Sequence, residues 1–432
     1  MFNAHVASLL LMGIFIILLI LRMPITFSLF SASVVTAIYL RVPLMSIVLK
    51  LVNGVSSFSL LAIPFFILSG EMMSRGGISR RLIEFSNALI GQWRGGLAQV
   101  NILASMFFGG ISGSAVADVS SIGTMMIPMM VDKGYDKDFS VGVTVTSACQ
   151  GVIIPPSHNM IIFALAAGGG VSVGKLFLGG LVPGVLLGGG LMVITFIIAK
   201  KRNYPKERKY TAKEKFKKSI DAVLGMMTMV IIIGGVVSGV FTATESAAIA
   251  CVYSFIITFF VYREIKLNVL PEILKNSLKT LAMVMSLIAA ASSFGYLLAF
   301  LRIPQAITTF LLSISDNRII LLLMINVMLL MLGTIMDMAP LIIICTPILY
   351  PVVVGALGMD GVQFGVMMIL NLAIGLCTPP VGSALFVGCA IGKISIEKVT
   401  KSMLPFYSVM VVVLLMITFI PQLTLALPNA IM

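Results

Sequence analysis

Long apolar runs with few charges alternate with short basic segments along the chain. The uninterrupted runs lie at residues 3–21, 24–42, 56–73, 177–199, 221–241, 244–262, 280–301 and 403–425. A helix needs about 20 apolar residues to cross the hydrocarbon core of a bilayer, and these runs have that length. The pattern therefore predicts an all-α polytopic membrane protein.

Four more apolar segments are interrupted in the middle. Gly-rich stretches divide 96–131 and 318–352, which predicts two re-entrant hairpins. Pro pairs divide 140–165 and 362–390, which predicts two broken helices. Backbone that is not helical at membrane depth persists only where it is buried in protein or lines a cavity, because lipid offers its N–H and C=O groups no partner. We therefore expect the four interruptions to surround the functional site.

The composition excludes several other classes. The chain is 59% hydrophobic and 10% charged, which disfavours a soluble enzyme, a secreted domain or a nucleic-acid-binding protein. The net charge of +13 does not indicate a nucleic-acid partner, because ten of the 29 basic residues fall in the single loop 200–218. Loops rich in Lys and Arg stay in the cytoplasm, so this loop is predicted to be cytoplasmic.

The position of this basic loop also sets the topology. Counting outwards from it gives about ten spanning helices, roughly five in each half, with every basic loop on one side of the membrane. Because each half has an odd number of crossings, two tandem copies must be inverted relative to each other. We expect inverted repeats at 1–199 and 221–432 joined by a basic linker at 200–220, as in secondary transporters. The chain has no GxxxxGK[ST] sequence that would indicate an ATP site.

Each half carries one Asp near its Gly-rich interruption. Asp118 and Asp337 are each followed ten residues later by a Pro, at Pro128 and Pro347. A charged side chain at mid-membrane costs about 2.5–3.5 kcal/mol on insertion scales, so it indicates a functional site. Interrupted segments at matching positions of two halves point to the substrate and ion sites of a transporter.

The residue types at the interruptions indicate which ligands these sites would bind. Unwound carbonyl groups and Ser, Thr, Asn or Asp oxygens suit a hard cation, whereas half-helix N-termini suit an anion. We expect Na⁺ as the coupling ion and no organic cofactor. The expected ligands are Ser112, Asp118 and Pro155 for a first Na⁺ site, Thr334, Asp337 and Pro379 for a second Na⁺ site, and Ser114, Ser157, Asn159, Thr378 and Ser383 for the substrate.

Purely structural roles for the same residues stay open. A Ser in a membrane helix often bonds the carbonyl four residues before it, and either Asp could make a structural hydrogen bond. His158 fits a ligand, a proton carrier or a structural residue, and Glu245 fits a helix cap. An intramembrane aspartyl protease is less favoured, because Val-Ala and Ile-Met precede the two Asp residues where such enzymes have GxGD. A passive channel is a further alternative.

Several motifs resemble those of one transporter family. They are SFSLLAIPFFILSGEMM at 57–73, GGISRRL at 76–82, SGSAVADVSSIG at 112–123, IIPPSHNMIIFALAAGG at 153–169, FTATESAAI at 241–249 and CTPPVG at 377–382. Together they resemble the large membrane subunit of the tripartite ATP-independent periplasmic (TRAP) transporters from about residue 20 to the C-terminus. The SHN sequence after the first Pro pair departs from the SIP-like sequence of many members.

The resemblance implies a Na⁺-coupled importer of organic-acid anions in the bacterial inner membrane. The substrate would be a C4-dicarboxylate or a sugar acid such as sialic acid, delivered by a periplasmic substrate-binding protein. A small four-helix membrane subunit is expected as a separate chain, and the hairpins and broken helices are expected to move in an elevator-like way. The alternative is a stand-alone cation-coupled anion carrier that needs no binding protein.

Overall fold

The computed structural model describes residues 4–432, and within that range the chain is helical with short connections and no strand. The helices of the first half are α1 (Ala4–Ile20), α2 (Ile25–Leu40), α3 (Leu44–Val55), α4 (Ala62–Arg75), α5 (Ile78–Ile90), α6 (Gly96–Ser112), α7 (Ala115–Asp118), α8 (Thr124–Asp132), α9 (Lys137–Gly151), α10 (His158–Ala166) and α11 (Val173–Lys201). A π-helical turn, Val119–Gly123, joins α7 to α8, so one continuous helix runs through 115–132.

The second half has a similar order of elements. Its helices are α12 (Ala212–Val237), α13 (Ala243–Ile256), α14 (Leu270–Phe300), α15 (Ile303–Ile314), α16 (Arg318–Ile335), α17 (Met338–Tyr350), α18 (Gly361–Leu376), α19 (Ser383–Gly392), α20 (Ile396–Phe419) and α21 (Gln422–Ile431). In both halves a helical hairpin (α6 to α8, or α16 to α17) is followed by an interrupted helix (α9 to α10, or α18 to α19). The all-α membrane fold is as the sequence predicts.

Eight helical segments within residues 4–432 are long and apolar enough to cross a membrane. They are Phe58–Arg75, Val173–Lys201, Ala212–Val237, Ala243–Tyr262, Leu267–Phe300, Arg318–Ile335, Met338–Ala356 and Ile396–Phe419. The two arms of the second hairpin are among them, whereas the first arm of the first hairpin, Gly96–Ser112, is shorter. The second hairpin therefore has arms of spanning length although the sequence predicts it as re-entrant, and its first arm is only one residue longer than that of the first hairpin, 18 against 17 residues.

Several helices begin earlier than the apolar pattern predicts. The structure continues helically into predicted loops, with α12 starting at Ala212 inside the predicted linker 200–220, α14 at Leu270 and α20 at Ile396. For α12 the cause is a capping box, in which the Thr211 hydroxyl accepts a hydrogen bond from the Glu214 N–H and the Glu214 carboxylate accepts one from the Thr211 N–H. Charged residues are compatible with a helix where it extends beyond the membrane, so hydropathy alone misplaces these helix starts.

Three short helices, α3, α5 and α15, are absent from the prediction, and α3 and α15 are the shortest of them. Each of these two has 12 residues, which at about 1.5 Å per residue is too short to cross a ~30 Å hydrocarbon core. Pro43 precedes α3, and Pro304 occupies the first turn of α15. A Pro there removes no helical hydrogen bond, so it favours a new helix start after a turn.

The interrupted elements pack against each other through pairs of glycines. On α6 and α9, a Cβ atom on Gly109 would lie 2.1 Å from the Cα atom of Gly151. On α16 and α18, a Cβ atom on Gly375 would lie 2.6 Å from the Cα atom of Gly333. Only glycine permits backbones to approach so closely. The two crossings are offset by the same 224 residues (109 to 333 and 151 to 375), and so are the Pro pairs (155 to 379).

The interrupted helices of the two halves also pack against each other in the centre of the molecule. α9 contacts α19 and α20, and α10 contacts α17. The ring of Phe163 on α10 meets that of Phe364 on α18 edge-on, with centroids 5.6 Å apart. Helices α2, α3 and α4 pack around α14 on one side of this central group. The hairpin tips and helix breaks of both halves are thereby brought to the middle of the fold.

A polar cluster anchors the start of α9 to the basic loop after α11. The Tyr204 hydroxyl donates to the Asp136 Oδ2 atom at 2.6 Å, and the Arg202 guanidinium donates to the same atom at 2.8 Å. These two donors stabilise the ionised form and lower the pKa of the Asp136 carboxyl below its ordinary value. This cluster lies outside the spanning segments and ties the central group to the predicted cytoplasmic face.

Candidate functional site

A cavity of about 630 Å³ lies between the tips of the two hairpins. The first tip contributes Ser112 and Ser114, and the second contributes Asp337 and Met338. His158 and Asn159, at the start of α10, also line the cavity. Elements that are more than 200 residues apart in sequence thus form one site.

Three helices outside the central group close the other wall of this cavity. They contribute Pro24–Thr26 at the start of α2, Glu71 and Ser74 near the end of α4, and Thr280 and Met283 on α14. The Glu71 carboxylate accepts a hydrogen bond from Arg75 at 2.8 Å, and Arg75 also bonds Glu272 at 3.0 Å. Glu71 therefore has a basic partner, which it shares with Glu272, whereas no ion pair to Asp337 occurs within residues 4–432.

The first hairpin tip is held directly by the first helix break. Gly113 has a φ of +62°, and a Cβ atom there would lie 2.9 Å from the His158 Nδ1 atom. The Asn159 Nδ2 atom donates to the Gly113 carbonyl at 3.4 Å. The Ser114 hydroxyl accepts from the Ala117 N–H at 3.3 Å and caps the helix that starts at Ala115. His158 and Asn159 therefore fix where this tip lies in the cavity.

Asp118 lies behind the first tip and does not line the cavity. It is fully buried, and its Oδ1 atom accepts a hydrogen bond from the Ser105 hydroxyl at 3.1 Å. Its Oδ2 atom has no hydrogen-bond partner among the described residues and faces the close-packed Gly151. A buried carboxylate with one unpartnered oxygen is costly unless a proton or a cation compensates for it.

The second hairpin tip is tied to the second break through the backbone. The Thr334 carbonyl accepts from the N–H groups of Val381 and Gly382, at 3.1 and 3.3 Å. The Thr334 hydroxyl donates to the Met331 carbonyl at 2.8 Å. The Thr334 carbonyl is thus engaged by two donors, and Asp337 is the polar side chain that this tip presents to the cavity.

The structure therefore separates the expected site residues into two groups. Those that line the cavity are Ser112, Ser114, Asn159 and Asp337. Those that lie away from it are Asp118, Pro155, Ser157, Thr334, Thr378, Pro379 and Ser383. In the second group the Thr378 hydroxyl donates to the Ile374 carbonyl of its own helix, while the buried hydroxyls of Ser157 and Ser383 have no partner among the described residues.

The outer wall of the cavity is not predicted by the sequence. Thr26, Glu71, Ser74 and Thr280 belong to helices whose apolar pattern is that of ordinary spans. One signal is present, because Glu71 is the single acidic residue of α4 and a charge in an apolar span indicates function. The hydroxyl residues carry no such signal, since Ser and Thr occur throughout the spans.

Besides the start of α2 on the outer wall, three helix N-termini at the hairpin tips and the first helix break border the cavity. The helix starting at Ala115, α10 starting at His158 and α17 starting at Met338 each have their first residues in the cavity lining. The first N–H groups of a helix lack partners within the helix and carry a partial positive charge, so they attract anions. The lining contains no Lys or Arg in the described part of the chain. Backbone N–H groups are therefore the main positive features of the site.

The described residues include no group of three or more His, Cys, Asp or Glu side chains placed to hold a metal ion together. A cation in this region would be bound by one carboxylate together with carbonyl and hydroxyl oxygens. Such mixed oxygen ligands suit hard cations of low charge better than transition metals.

Comparison with known proteins gives one consistent family. Residues 12–423 match the family described as "Tripartite ATP-independent periplasmic transporter, DctM component". The C4-dicarboxylate TRAP transporter large permease protein DctM of Rhodobacter capsulatus is 37% identical over 98% of this chain and 99% of its own length. The sialic acid TRAP transporter large permease protein SiaM of Vibrio cholerae is 41% identical over 88% of each chain.

A solved structure shares the fold at much lower sequence identity. The crystal structure of the YdaH transporter of Alcanivorax borkumensis superposes with a TM-score of 0.63, 13% identity, and coverage of 88% of this chain and 90% of that one. At this identity the likeness concerns the fold alone, and it places the helix arrangement among those of membrane transporters.

Proposed function

The chain belongs to the DctM component family of the tripartite ATP-independent periplasmic transporters and is a large permease subunit rather than an enzyme, and we propose that it imports organic-acid anions. The relatives are named for C4-dicarboxylates and for sialic acid, and both substrates carry carboxylate groups. We propose a substrate of this class, moved across the bacterial inner membrane with the loop 200–218 on the cytoplasmic side.

The observation that carries the proposal is the convergence of three helix N-termini on one cavity. A substrate carboxylate placed there accepts hydrogen bonds from the first N–H groups of the helices that start at Ala115, His158 and Met338. Ser114 and Asn159 supply further polar contacts from the same tip and break. Because binding of this kind uses no fixed cationic side chain, the anion also leaves easily, which transport requires.

We propose that Na⁺ makes the cavity attractive to the anion. Asp337 is exposed in the cavity, so it repels an incoming carboxylate until a cation neutralises it. Na⁺ and the anion then raise each other's affinity by the same factor, because linkage is reciprocal. Since the Thr334 carbonyl already accepts two hydrogen bonds, Asp337 is the main ligand that we assign to this second ion.

A first Na⁺ is proposed at Asp118. Its unpartnered, fully buried Oδ2 atom needs a compensating charge, and the neighbouring Ser105 hydroxyl already holds the other oxygen. If two Na⁺ accompany one monovalent anion, one net charge moves, and the membrane potential contributes about 2.3 kcal/mol per 100 mV. This corresponds to roughly fifty-fold accumulation of substrate without ATP.

We propose that the cavity opens towards the face that carries the basic residues. Two residues of its outer wall are adjacent in sequence to basic residues on the predicted cytoplasmic side, because Ser74 precedes Arg75 and Thr280 follows Lys279. We propose that this is the state that releases substrate to the cytoplasm. Loading from the other side then requires the hairpins and broken helices to move as a unit against α2, α4 and α14, which is an elevator-like motion.

Two protein partners complete the proposed transporter. The matched family is described as tripartite and periplasmic, which supports a substrate-binding protein in the periplasm. We propose a small membrane subunit, carried on a separate chain, as the third component.

Uptake into proteoliposomes tests the proposed function. The vesicles would contain this chain with its small subunit and the binding protein outside, and would receive labelled sialic acid or succinate with or without an inward Na⁺ gradient. We expect uptake of one substrate that requires both Na⁺ and the binding protein. Uptake without the binding protein would instead favour a stand-alone carrier. Uptake that ignores the Na⁺ gradient would refute Na⁺ coupling.

A further inference from the structure

A second cavity, distinct from the proposed substrate site, opens on the lipid-facing surface of the protein at the C-terminal end of α11. Its volume is about 630 Å³. It lies between the turn from α5 to α6, the last two turns of α11 and the loop that follows α11. Its lining includes Trp93, Arg94, Gln99, Lys200 and Lys206, together with an apolar wall formed by Met192, Val193, Phe196 and Ile197.

The apolar wall belongs to the surface that faces lipid. Val193 is 62% exposed, Ile197 54% and Phe196 43% in the isolated chain, and all three lie on α11, a candidate membrane span. Exposed apolar side chains on a spanning helix contact acyl chains. One wall of the cavity is therefore suited to a hydrocarbon tail.

The opposite end of the cavity carries uncompensated positive charge. Arg94, Lys200 and Lys206 are exposed and form no ion pair with any described residue. Two nearby arginines do have acidic partners, since Arg202 pairs with Asp136 at 2.8 Å and Arg208 with Glu214 at 3.0 Å. Three cations without acidic partners converge on one cavity and attract an anion there.

Gln99 provides an independent observation, an unsatisfied hydrogen-bond acceptor in the lining of the cavity. Its side chain is fully buried, and its Nε2 atom donates to the Met192 carbonyl at 2.9 Å. Its Oε1 atom accepts no hydrogen bond from any residue of the described chain. A buried acceptor without a donor costs free energy, so an occupant that supplies a hydrogen-bond donor is favoured.

The cavity lies at the level of the membrane where lipid headgroups are expected. Lys200 lies in the last turn of α11, where this span reaches the predicted cytoplasmic face. Trp93 is 47% exposed, and Trp is enriched where the hydrocarbon core meets the headgroups. Charged groups thus meet apolar ones at the boundary where a phospholipid has its phosphate.

We propose that this cavity binds an anionic phospholipid of the phosphatidylglycerol type from the cytoplasmic leaflet. The phosphate lies among Arg94, Lys200 and Lys206, one acyl chain follows the apolar wall of α11, and a headgroup hydroxyl donates to Gln99. Basic pockets between helices on the cytoplasmic side are the kind of site that binds anionic headgroups. This inference is independent of the proposed transport function.

The chain offers an internal comparison for this site. An apolar groove of about 600 Å³ on α16 is lined by Ile320, Leu323, Met324, Val327, Met328, Met331 and Leu332. Leu323 is offset from Gln99 by the same 224 residues that separate the glycine crossings (99 to 323). This groove has no charged residue in its lining, so it can hold acyl chains but cannot distinguish headgroups.

Native mass spectrometry of the full chain in detergent micelles tests the proposal. The micelles would be titrated with phosphatidylglycerol or with phosphatidylcholine of the same acyl chains. The test variant is R94Q/K200Q/K206Q, and the matched control is K209Q/K213Q/K217Q. The control removes three exposed, unpaired lysines from the same basic region and gives the same net charge.

We expect wild type and control to retain phosphatidylglycerol in preference to phosphatidylcholine. In the test variant the affinity for phosphatidylglycerol should fall roughly tenfold or more, because each basic residue contributes to attraction of an anionic lipid. Equal losses in both triple variants would show attraction by overall surface charge and overturn the site. Equal retention of the two lipids by wild type would likewise overturn it. Unchanged phosphatidylglycerol binding by R94Q/K200Q/K206Q would also overturn it.

Discussion

The two hairpins share their packing but differ in where they hold their carboxylates. In the first hairpin Asp118 is fully buried behind the tip and bonded to Ser105. In the second, Asp337 stands at the tip itself and faces the cavity. By the 224-residue offset of the glycine crossings, Asp337 corresponds to Gly113, and Asp118 corresponds to Ile342. The packing of the backbone thus recurs in the two halves, whereas the positions of the carboxylates do not.

This difference assigns separate tasks to the two halves. A buried carboxylate can hold an ion without touching the substrate, whereas a carboxylate in the cavity makes anion binding depend on a bound cation. The first tip, with Ser114, Asn159 and His158, presents polar groups to the substrate. The corresponding positions after the second Pro pair, from Val381 to Ser383, do not line the cavity.

The largest expected effect concerns the glycine crossings. A Cβ atom on Gly109 would lie 2.1 Å from the Gly151 Cα atom, whereas one on Gly333 would lie 3.2 Å from the Gly375 Cα atom. Gly109→Ala must push two backbones apart, and overpacking of this kind costs about 1–3 kcal/mol or more. We expect Gly109→Ala to lose most folded protein and Gly333→Ala to lose much less.

Fluorescence-detected size-exclusion chromatography with a thermal ramp would measure this difference. Gly189→Ala on α11 is the control, because a Cβ atom there meets nothing within 4 Å. If Gly333→Ala lost as much folded protein as Gly109→Ala, the claim that the two glycine crossings differ in tightness would be contradicted.

A second, smaller effect distinguishes the two helix breaks. Asn159 and Ser383 are related by the same offset (159 to 383), but Asn159 lines the cavity and donates to the Gly113 carbonyl, whereas the Ser383 hydroxyl has no partner among the described residues. A net hydrogen bond contributes about 1–1.5 kcal/mol, so Asn159→Ala should slow uptake roughly tenfold.

Ser383→Ala should leave the uptake rate within about twofold, because it removes no hydrogen bond. Initial rates in proteoliposomes with matched protein content measure both variants. A loss in Ser383→Ala as large as that in Asn159→Ala would mean that the second break also contacts the substrate.

The sequence predicts the elements of the fold better than it predicts which positions in the two halves correspond to each other. Apolar runs predict six of the eight candidate spans among the described residues, and Pro pairs predict both breaks, because membrane burial imposes these patterns locally. The equal distances from Asp118 to Pro128 and from Asp337 to Pro347 suggest equivalent carboxylates. Which positions of the two halves correspond to each other depends instead on where helices cross. No local sequence pattern shows that Gly109 contacts Gly151. Likewise, only the folded chain shows that the Thr334 carbonyl is already bonded.

The smallest expected effect concerns pH and the anchors at the starts of α9 and α18. Asp136 and Asp360 share the 224-residue offset (136 to 360), but only Asp136 forms an ion pair among the described residues, while Asp360 accepts a hydrogen bond from the Val362 N–H. Tyr204 and Arg202 lower the pKa of Asp136 in the folded chain. Its stabilising contribution is therefore present above the unfolded-state pKa near 3.8 and is lost as pH falls further, through the folded pKa.

Asp136→Asn should lower the thermal midpoint slightly at neutral pH. The effect should correspond to less than about 1 kcal/mol, because the pair is exposed and screened by solvent. The difference in thermal midpoint between Asp136→Asn and wild type should disappear as pH falls below the ordinary carboxyl range. Asp360→Asn, which removes no ion pair among the described residues, is the comparison variant at neutral pH. A difference in thermal midpoint between Asp136→Asn and wild type that persists at low pH would contradict the ion-pair explanation.

The division of tasks between the two carboxylates is tested most directly by the Na⁺ dependence of uptake in wild type, Asp118→Asn and Asp337→Asn. Rates would be measured against Na⁺ concentration at constant ionic strength, with labelled sialic acid or succinate as substrate. Each substitution should reduce the steepness of the Na⁺ dependence, and Asp337→Asn should also improve anion affinity at low Na⁺ because the repulsion in the cavity is removed. Unchanged Na⁺ dependence in both variants would contradict the assignment of coupling ions to these two residues.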